Sequence, residues 1–288
     1  MDKKKQLRKR QLIINADDFG ISENVNRAIV DGYKNGVLTS TTIMANAPAF
    51  EHAVSLLPEI EGISMGVHLN VIEFSTLKNP LKRTSLLYDN NGNYNNGYVQ
   101  LILKSFNKDF LIEIEDDFRL QIETILSKTN VDHIDSHVHV HAIPNIFKIV
   151  CKLAAEYGIK HIRTQFEYPY FIPDIKKYFS VKYPVNWVKL LLLNYFTILN
   201  TKHLEQYPDI ATNTNFIGVN YTGYMDKNTL LCALPFVKEE TEAVLHPSID
   251  ANKPFHYTEY QTLIDRDVMK KIQETDIDLV NFSGQSKF

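Results

Sequence analysis

The feature that most restricts the fold of this chain is a repeated order: a short apolar run, a polar residue at or near its end, then a stretch with helical spacing. Parallel strands cannot be joined by a tight hairpin and need a crossover, commonly a helix, so this order predicts an α/β fold. Residues 12–16 read as a first strand, 37–44 as a second, 63–69 as a third and 131–136 as a fourth. Residues 159–164 continue the sheet, and 242–245 and 277–282 extend it. Ser22 is placed to cap a helix that carries Val25, Ala28, Ile29, Gly32 and Tyr33, with Gly36 as its stop. Residues 50–57 form a short helix ended by Pro58, residues 110–126 a longer one, and Pro144 opens a helix that Gly158 closes. Thr258 and Gln261 form a capping-box pattern for a helix through Leu263, Ile264, Val268 and Ile272. The architecture expected is a (β/α) barrel of mainly parallel strands, folded as one domain over residues 11–288.

Two stretches fall outside this rhythm. Residues 71–107, with Asn90-Asn91-Gly92-Asn93, read as a long surface excursion of the kind that shapes substrate pockets. Residues 165–224 are rich in Tyr, Phe, Pro and Asn and show no steady period, so no element is predicted there. Within them, residues 185–199 are the most apolar run, yet Asn186, Lys189 and Asn194 interrupt it. It falls short of the ~20 residues that a membrane span requires.

Charge narrows the function. Lys and Arg number 31 against 34 Asp and Glu, for a formal charge of -3, which lacks the basic excess of a nucleic-acid binder. Six of the first ten residues are basic, but the apolar residues 12–14 that follow are too few for a signal peptide, so residues 1–10 are expected to be a disordered basic tail. Cys151 and Cys232 have no CxxC or metal-ligand spacing, which suits two ordinary thiols in a cytoplasmic protein.

Chemistry-bearing residues cluster at the predicted strand ends: Asp17 and Asp18, His68, the alternating His137, His139 and His141, and His246. In β/α barrels the C-terminal ends of the strands carry the active site, so segments far apart in sequence converge there. Adjacent strand residues point to opposite faces, so Asp17 and Asp18 serve one site only if the strand is ending; Phe19-Gly20 supplies a turn. The three alternating histidines project to one face if the strand continues through them. One carboxylate and two imidazoles suit Zn, Mn, Fe or Co and leave positions open for water and substrate. A second carboxylate can then take a proton from water while a histidine protonates a departing nitrogen.

At these residues a resemblance becomes specific. Asn15-Ala16-Asp17-Asp18-Phe19-Gly20, then Leu38-Thr39-Ser40-Thr41-Thr42, Gly66-Val67-His68-Leu69-Asn70 and Asp135-Ser136-His137-Val138-His139-Val140-His141 resemble the ordered motifs of the YdjC-like carbohydrate deacetylase family, which includes chitooligosaccharide deacetylases and the deacetylase of hopanoid biosynthesis. The resemblance runs from about residue 12 to 163 and returns near His246-Pro247 and in the last helix and strand. It implies a distorted barrel, a divalent metal ion (Mg or Zn), and removal of an acetyl group from an N-acetylated saccharide or glycolipid. By the same resemblance Asp18, His68 and His137 are the metal ligands, Asp17 the general base and His246 the general acid. A homodimer is a further implication.

Plainer readings stand beside these. Asp pairs are common at turns and helix starts. His139 and His141 fit supporting or pocket-wall positions around a ligand. Asp135 suits either orienting one of these rings or capping the adjacent turn, and Arg163 is expected in a surface ion pair. Trp187 and the tyrosines of the irregular stretch fit packing as well as sugar stacking; His52, His133, His161, His203 and His256 are assigned no chemistry. A ligand set does not choose its electrophile, so hydrolysis of another amide or a phosphoester, and a sugar-binding relative without turnover, are the rival functions.

Overall fold

The computed structural model of the chain describes residues 9–78 and 85–288. Its eight strands are β1 (Arg10–Phe19), β2 (Ser40–Ile43), β3 (Ser64–Leu69), β4 (His133–Ser136), β5 (His161–Ile162), β6 (Asn215–Ile217), β7 (Thr241–Leu245) and β8 (Ile277–Leu279). Ten α-helices among the described residues connect or cover them: α1 (Glu23–Asn35), α2 (Phe50–Ser55), α3 (Tyr98–Lys104), α4 (Lys108–Leu126), α5 (Pro144–Tyr157), α6 (Ile175–Tyr178), α7 (Lys182–Leu204), α8 (Lys227–Ala233), α9 (Pro254–Leu263) and α10 (Arg266–Gln273). The sheet runs in the order β5-β4-β3-β2-β1-β7-β6, with β8 also paired to β1, and all these pairings are parallel. β2, β3, β4 and β7 are buried along their whole length, as parallel strands covered on both faces must be.

The sheet curls until its edges approach. At and past the end of β5 the seam is closed by irregular contacts: the Ile162 N–H donates to Ala211 O, the Asn213 amide bonds the backbone of Thr164 and Asn215, and the Phe216 N–H donates to Phe166 O. The result is a distorted (β/α) barrel whose strand C-termini share one rim. No helix among the described residues is long and apolar enough to cross a membrane.

Local signals explain most elements. The Ser22 side chain accepts from the Val25 N–H at the start of α1. Gly36 follows α1 with extended backbone at φ -132°, and only glycine fits there, since a Cβ would lie 2.2 Å from the Leu263 carbonyl oxygen. Gly158 caps α5 in the left-handed region, at φ 71°. Residues 1–8 of the expected basic tail lie outside the described residues, whereas Arg10 already belongs to β1 and pairs with Asp276 at 2.5 Å.

Three expectations are corrected. Residues 165–224 contain the 23-residue α7, whose buried Asn186, Leu190, Leu193, Phe196 and Asn200 do follow helical spacing. Val185, Val188, Leu191, Tyr195 and Ile198 on the other face are exposed and equally apolar, so the periodic contrast that marks a helix is flattened. Thr258 and Gln261 sit inside α9, where the Thr258 hydroxyl donates to Pro254 O; the helical stretch is broken, and Asp265 caps a separate α10. His137–Ala142 is not a strand but a tight turn, with Val138 at φ 45° and His139 at φ 59°.

The excursion over residues 71–107 is anchored rather than free. Asp117 of α4 accepts from Thr76 and Tyr94, and Glu113 accepts from the Leu86 and Leu87 N–H groups, while Leu87 is fully buried. This anchoring delivers Ile72, Glu73 and Tyr98 to the rim of the barrel; residues 79–84 lie outside the described residues.

Candidate metal centre

Asp17 and Asp18 both reach the same centre because β1 is irregular where they stand. The register of β1 against β2 shifts between Ala16 and Phe19, and Asp18 adopts φ 69°, a left-handed conformation that aspartate tolerates better than most residues. The two carboxylates then part. Asp18 Oδ1 lies 2.9 Å from His137 Nδ1 and 3.2 Å from His68 Nε2, whereas Asp17 turns to Arg163. Ligand atoms of Asp18, His68 and His137 all lie within 4.8 Å of one another.

Neighbours set each ring. Asp135 Oδ1 sits 2.7 Å from His68 Nδ1, and the Thr42 hydroxyl donates to the other Asp135 oxygen at 3.1 Å. In the neutral ring a proton on Nδ1 would leave the Nε2 lone pair facing Asp18, and that buried atom has no hydrogen-bond partner. His137 stands edge-on to His68, ring centroids 5.8 Å apart, with its Nε2 3.6 Å from Glu73. The positive-φ residues Val138 and His139 turn the chain sharply, so the three alternating histidines diverge. His141 is spent on Ser136, at 2.6 Å, and on the Arg163 carbonyl, and burial lowers its pKa to about 4. His139 packs edge-on against Phe216 with Nδ1 unpartnered; burial first, then the Arg163 charge, holds it neutral.

Arg163 corrects the expectation of a surface ion pair. It is fully buried and binds Asp17 through two nitrogens at 2.7 and 2.8 Å, Asp135 at 2.6 Å and Glu242 at 2.6 Å. Burial alone raises the Asp17 pKa, but the Arg163 charge and hydrogen bonds outweigh it and hold the carboxyl well below its usual range. Asp18 is likewise held low against burial, by the hydrogen bond from His137 and the neighbouring His68 ring. For His68 burial lowers the pKa, yet Asp135, Asp18 and Asp17 lift it to about 10; His137 rises to about 9 against burial through Asp18 and Glu73.

His246 follows β7 and closes the site from the far side, with Nε2 3.9 Å from Asp17 and Nδ1 3.6 Å from Glu259. Glu259 also accepts from the His246 backbone N–H. Burial opposes protonation, but Glu259, then Asp17 and Asp18, raise its pKa to about 9.

These residues fit a divalent cation. Asp17, Asp135 and Glu242 surround one guanidinium, while both imidazoles facing Asp18 are driven toward their charged forms. That is a centre short of positive charge, with a buried nitrogen already unpartnered and oriented. The mixed O and N donors suit a transition-series ion or zinc.

Glu73, Glu242 and Glu259 escaped the sequence reading. Glu242 leaves a trace, as a charge inside the apolar run of β7; Glu73 and Glu259 sit in a loop and a helix with nothing local to mark them.

The chain matches the YdjC-like protein family over residues 11–274. It is 32% identical over 285 residues to a carbohydrate deacetylase of Clostridium beijerinckii, covering 94% of this chain and 98% of that protein. A carbohydrate deacetylase of Brevibacillus brevis is 40% identical over 151 residues, 52% of this chain and 57% of its own length. Among solved structures, a protein of Enterococcus faecalis V583 provisionally named for cellobiose-phosphate cleavage superimposes with a TM-score of 0.73 over 96% of this chain and 99% of that chain; at 23% identity this likeness concerns the fold.

Proposed function

Because the chain belongs to the YdjC-like family, we propose that it is a metal-dependent carbohydrate deacetylase that hydrolyses the N-acetyl group of an amino sugar, in a saccharide or a glycolipid. The observation that carries the metal dependence is the convergence of Asp18, His68 and His137 around the unpartnered His68 Nε2. Those three residues would hold the ion, with zinc or magnesium the expected occupant. When bound, a divalent cation supplies Lewis acidity, making water easier to deprotonate and an amide carbonyl easier to attack.

The chain's own residues then divide the proton work. Asp17, ionised and fixed by the two-pronged grip of Arg163, accepts the proton of the attacking water. His246, kept charged by Glu259, gives a proton to the departing nitrogen. A C–O bond forms as the C–N bond breaks, and the products are acetate and the free amine. Asp135 and Arg163 touch no substrate in this scheme; they hold His68 and Asp17 in position.

The test is acetate release from N-acetylated saccharides of several lengths, run beside generic phosphoesters, with and without chelator. Chelator-sensitive release from the saccharides is the expected result; phosphoester turnover alone, or release untouched by chelator, overturns the reading. Both cysteines are free, Cys151 buried, which fits the cytoplasm. A homodimer is carried forward from the resemblance, and light scattering tests it.

A further inference from the structure

Helix α7 is apolar on both faces, and only one of them is covered. Inward, Leu190, Leu193 and Phe196 are buried, and three asparagines fasten the helix to the barrel: Asn186 donates to Thr222 O, Asn194 to Glu167 O and Asn200 to Ala142 O. Outward, Val181, Val185, Val188, Leu191, Tyr195 and Ile198 recur every three or four residues and stand exposed in one row, about 25 Å long at the helical rise. The segment before the helix adds Phe171 and Phe179, exposed by 71% and 84%. With the inner face already fixed to the barrel, an outer row of this length marks a contact with something outside the chain.

The charges beside the row say what that contact is. Residues 175–204 hold five lysines and no Asp or Glu, in a chain with 34 acidic residues among 288. Lys177 turns inward to Asp226, whereas Lys176, Lys182, Lys189 and Lys202 are exposed and, among the described residues, form no ion pair. Exposed apolar side chains flanked by lysines, with no acid between them, suit a helix lying in the headgroup boundary of an anionic bilayer. A second copy fits worse. Two-fold pairing of the row with itself would bring the lysines of both copies together with no carboxylate from this stretch to answer them. It would also cover the lip of the site, because Val181, Lys182, Val185 and Lys189 wall the hollow that holds Asp18, Glu73 and His137. A bilayer answers the lysines with phosphates and meets that lip with headgroups.

Resting on the deacetylase reading for its substrate, we infer that the row from Val181 to Ile198 docks the protein on an anionic lipid bilayer without crossing it, and that the N-acetyl sugar hydrolysed there is the headgroup of a glycolipid. The hydrolysis is unchanged: water adds to the acetyl carbon, the C–N bond breaks, the water proton passes to the departing nitrogen, acetate leaves, and the amine stays on the lipid.

The test is flotation with vesicles of phosphatidylcholine alone or mixed with phosphatidylglycerol, beside acetate release from an N-acetylglucosaminyl lipid held in the mixed vesicles and from soluble N-acetylglucosamine oligosaccharides. The expected result is binding to the mixed vesicles roughly tenfold tighter or more than to phosphatidylcholine, weakened by salt, with a higher kcat/KM on the vesicle-borne substrate. Leu191→Glu combined with Tyr195→Glu, positions that line neither hollow at the centre, should abolish flotation and the vesicle-borne activity while soluble saccharides are hydrolysed as before. Lys176→Gln and Lys202→Gln, which remove one charge each and no apolar surface, should each weaken vesicle binding about fivefold. Hydrolysis of soluble saccharides without binding to either vesicle overturns the inference and leaves the deacetylase reading intact. Flotation with the mixed vesicles but no acetate from any substrate overturns the deacetylase reading, and the glycolipid with it, and supports the docking surface. Equal binding to both vesicles overturns the inference, and so does a dimer in light scattering that Leu191→Glu with Tyr195→Glu dissociates, since the row then belongs to a second copy.

Discussion

His133 and His68 lie on the paired strands β4 and β3, both buried and both with Nδ1 against an aspartate. At His133, nearer the strand N-termini, every opportunity is closed. Its Nδ1 meets Asp132 at 2.5 Å, its Nε2 meets Ser40 at 3.3 Å, and Phe282 stacks on the ring at 4.0 Å. At His68, on the opposite rim, the second nitrogen is left without a hydrogen bond and faces carboxylates. Burial and an aspartate partner are therefore shared by a packing histidine and a candidate ligand. What separates them is the unpartnered second nitrogen of His68, aimed at Asp18.

Exchanging the roles of these two residues is the strongest way to break the comparison. His68→Ala or His137→Ala should abolish metal binding and acetate release together, read by metal analysis of the purified variant. His133→Ala should instead lower stability by roughly 2–5 kcal/mol in urea unfolding while its folded fraction still binds metal. Loss of metal in the His133 variant would remove the distinction.

Asp17→Asn tests the neighbouring carboxylate, which lies outside the expected ligand set. Turnover should fall about 10²- to 10⁴-fold with metal content unchanged. Undiminished turnover rules Asp17 out as the base.

Asp135→Asn removes the charge that orients His68 and should weaken metal affinity about 10- to 100-fold, measured by competition with a chromogenic chelator. Gly66→Ala probes the packed end: its Cβ would lie 2.4 Å from His133 Nε2, and the ring is pinned by Asp132, Ser40 and Phe282. A loss of about 1–3 kcal/mol is expected, with metal affinity kept.

The smallest effect is a pH limb. His246 must carry its proton to act as an acid, and it does so below a pKa of about 9, so activity should fall roughly tenfold per unit as pH rises beyond that value. Glu259→Gln removes the charge that raises the pKa and should move this limb to lower pH. A limb that stays in place separates the profile from His246.

Every strand but β6, which lies in the stretch without a steady period, and most of the crossovers were legible because each buries a short apolar run against its neighbours, and that pattern is local. Ser22, Pro144 and Gly158 mark helix ends by chemistry that acts within one turn. Helix α7 was not legible, since its apolar outer face hides the stripe that packs inward. The turn after β4 was hidden too: nothing in the run from His137 to His141 announces two residues at positive φ.

By itself the sequence determined which residue types stand at the strand ends, because alternation of apolar runs with helical crossovers forces those ends onto one rim. Tertiary structure alone decided their division of labour. Asp17 and Asp18 are chemically identical neighbours, yet one is held by Arg163 and the other faces two imidazoles. Arg163 is separated from Asp17 by 146 residues, and Glu259 from His246 by a loop and half a helix. Electrostatic character depends on distance through space in a poorly screened interior, and no local pattern along the chain encodes that distance.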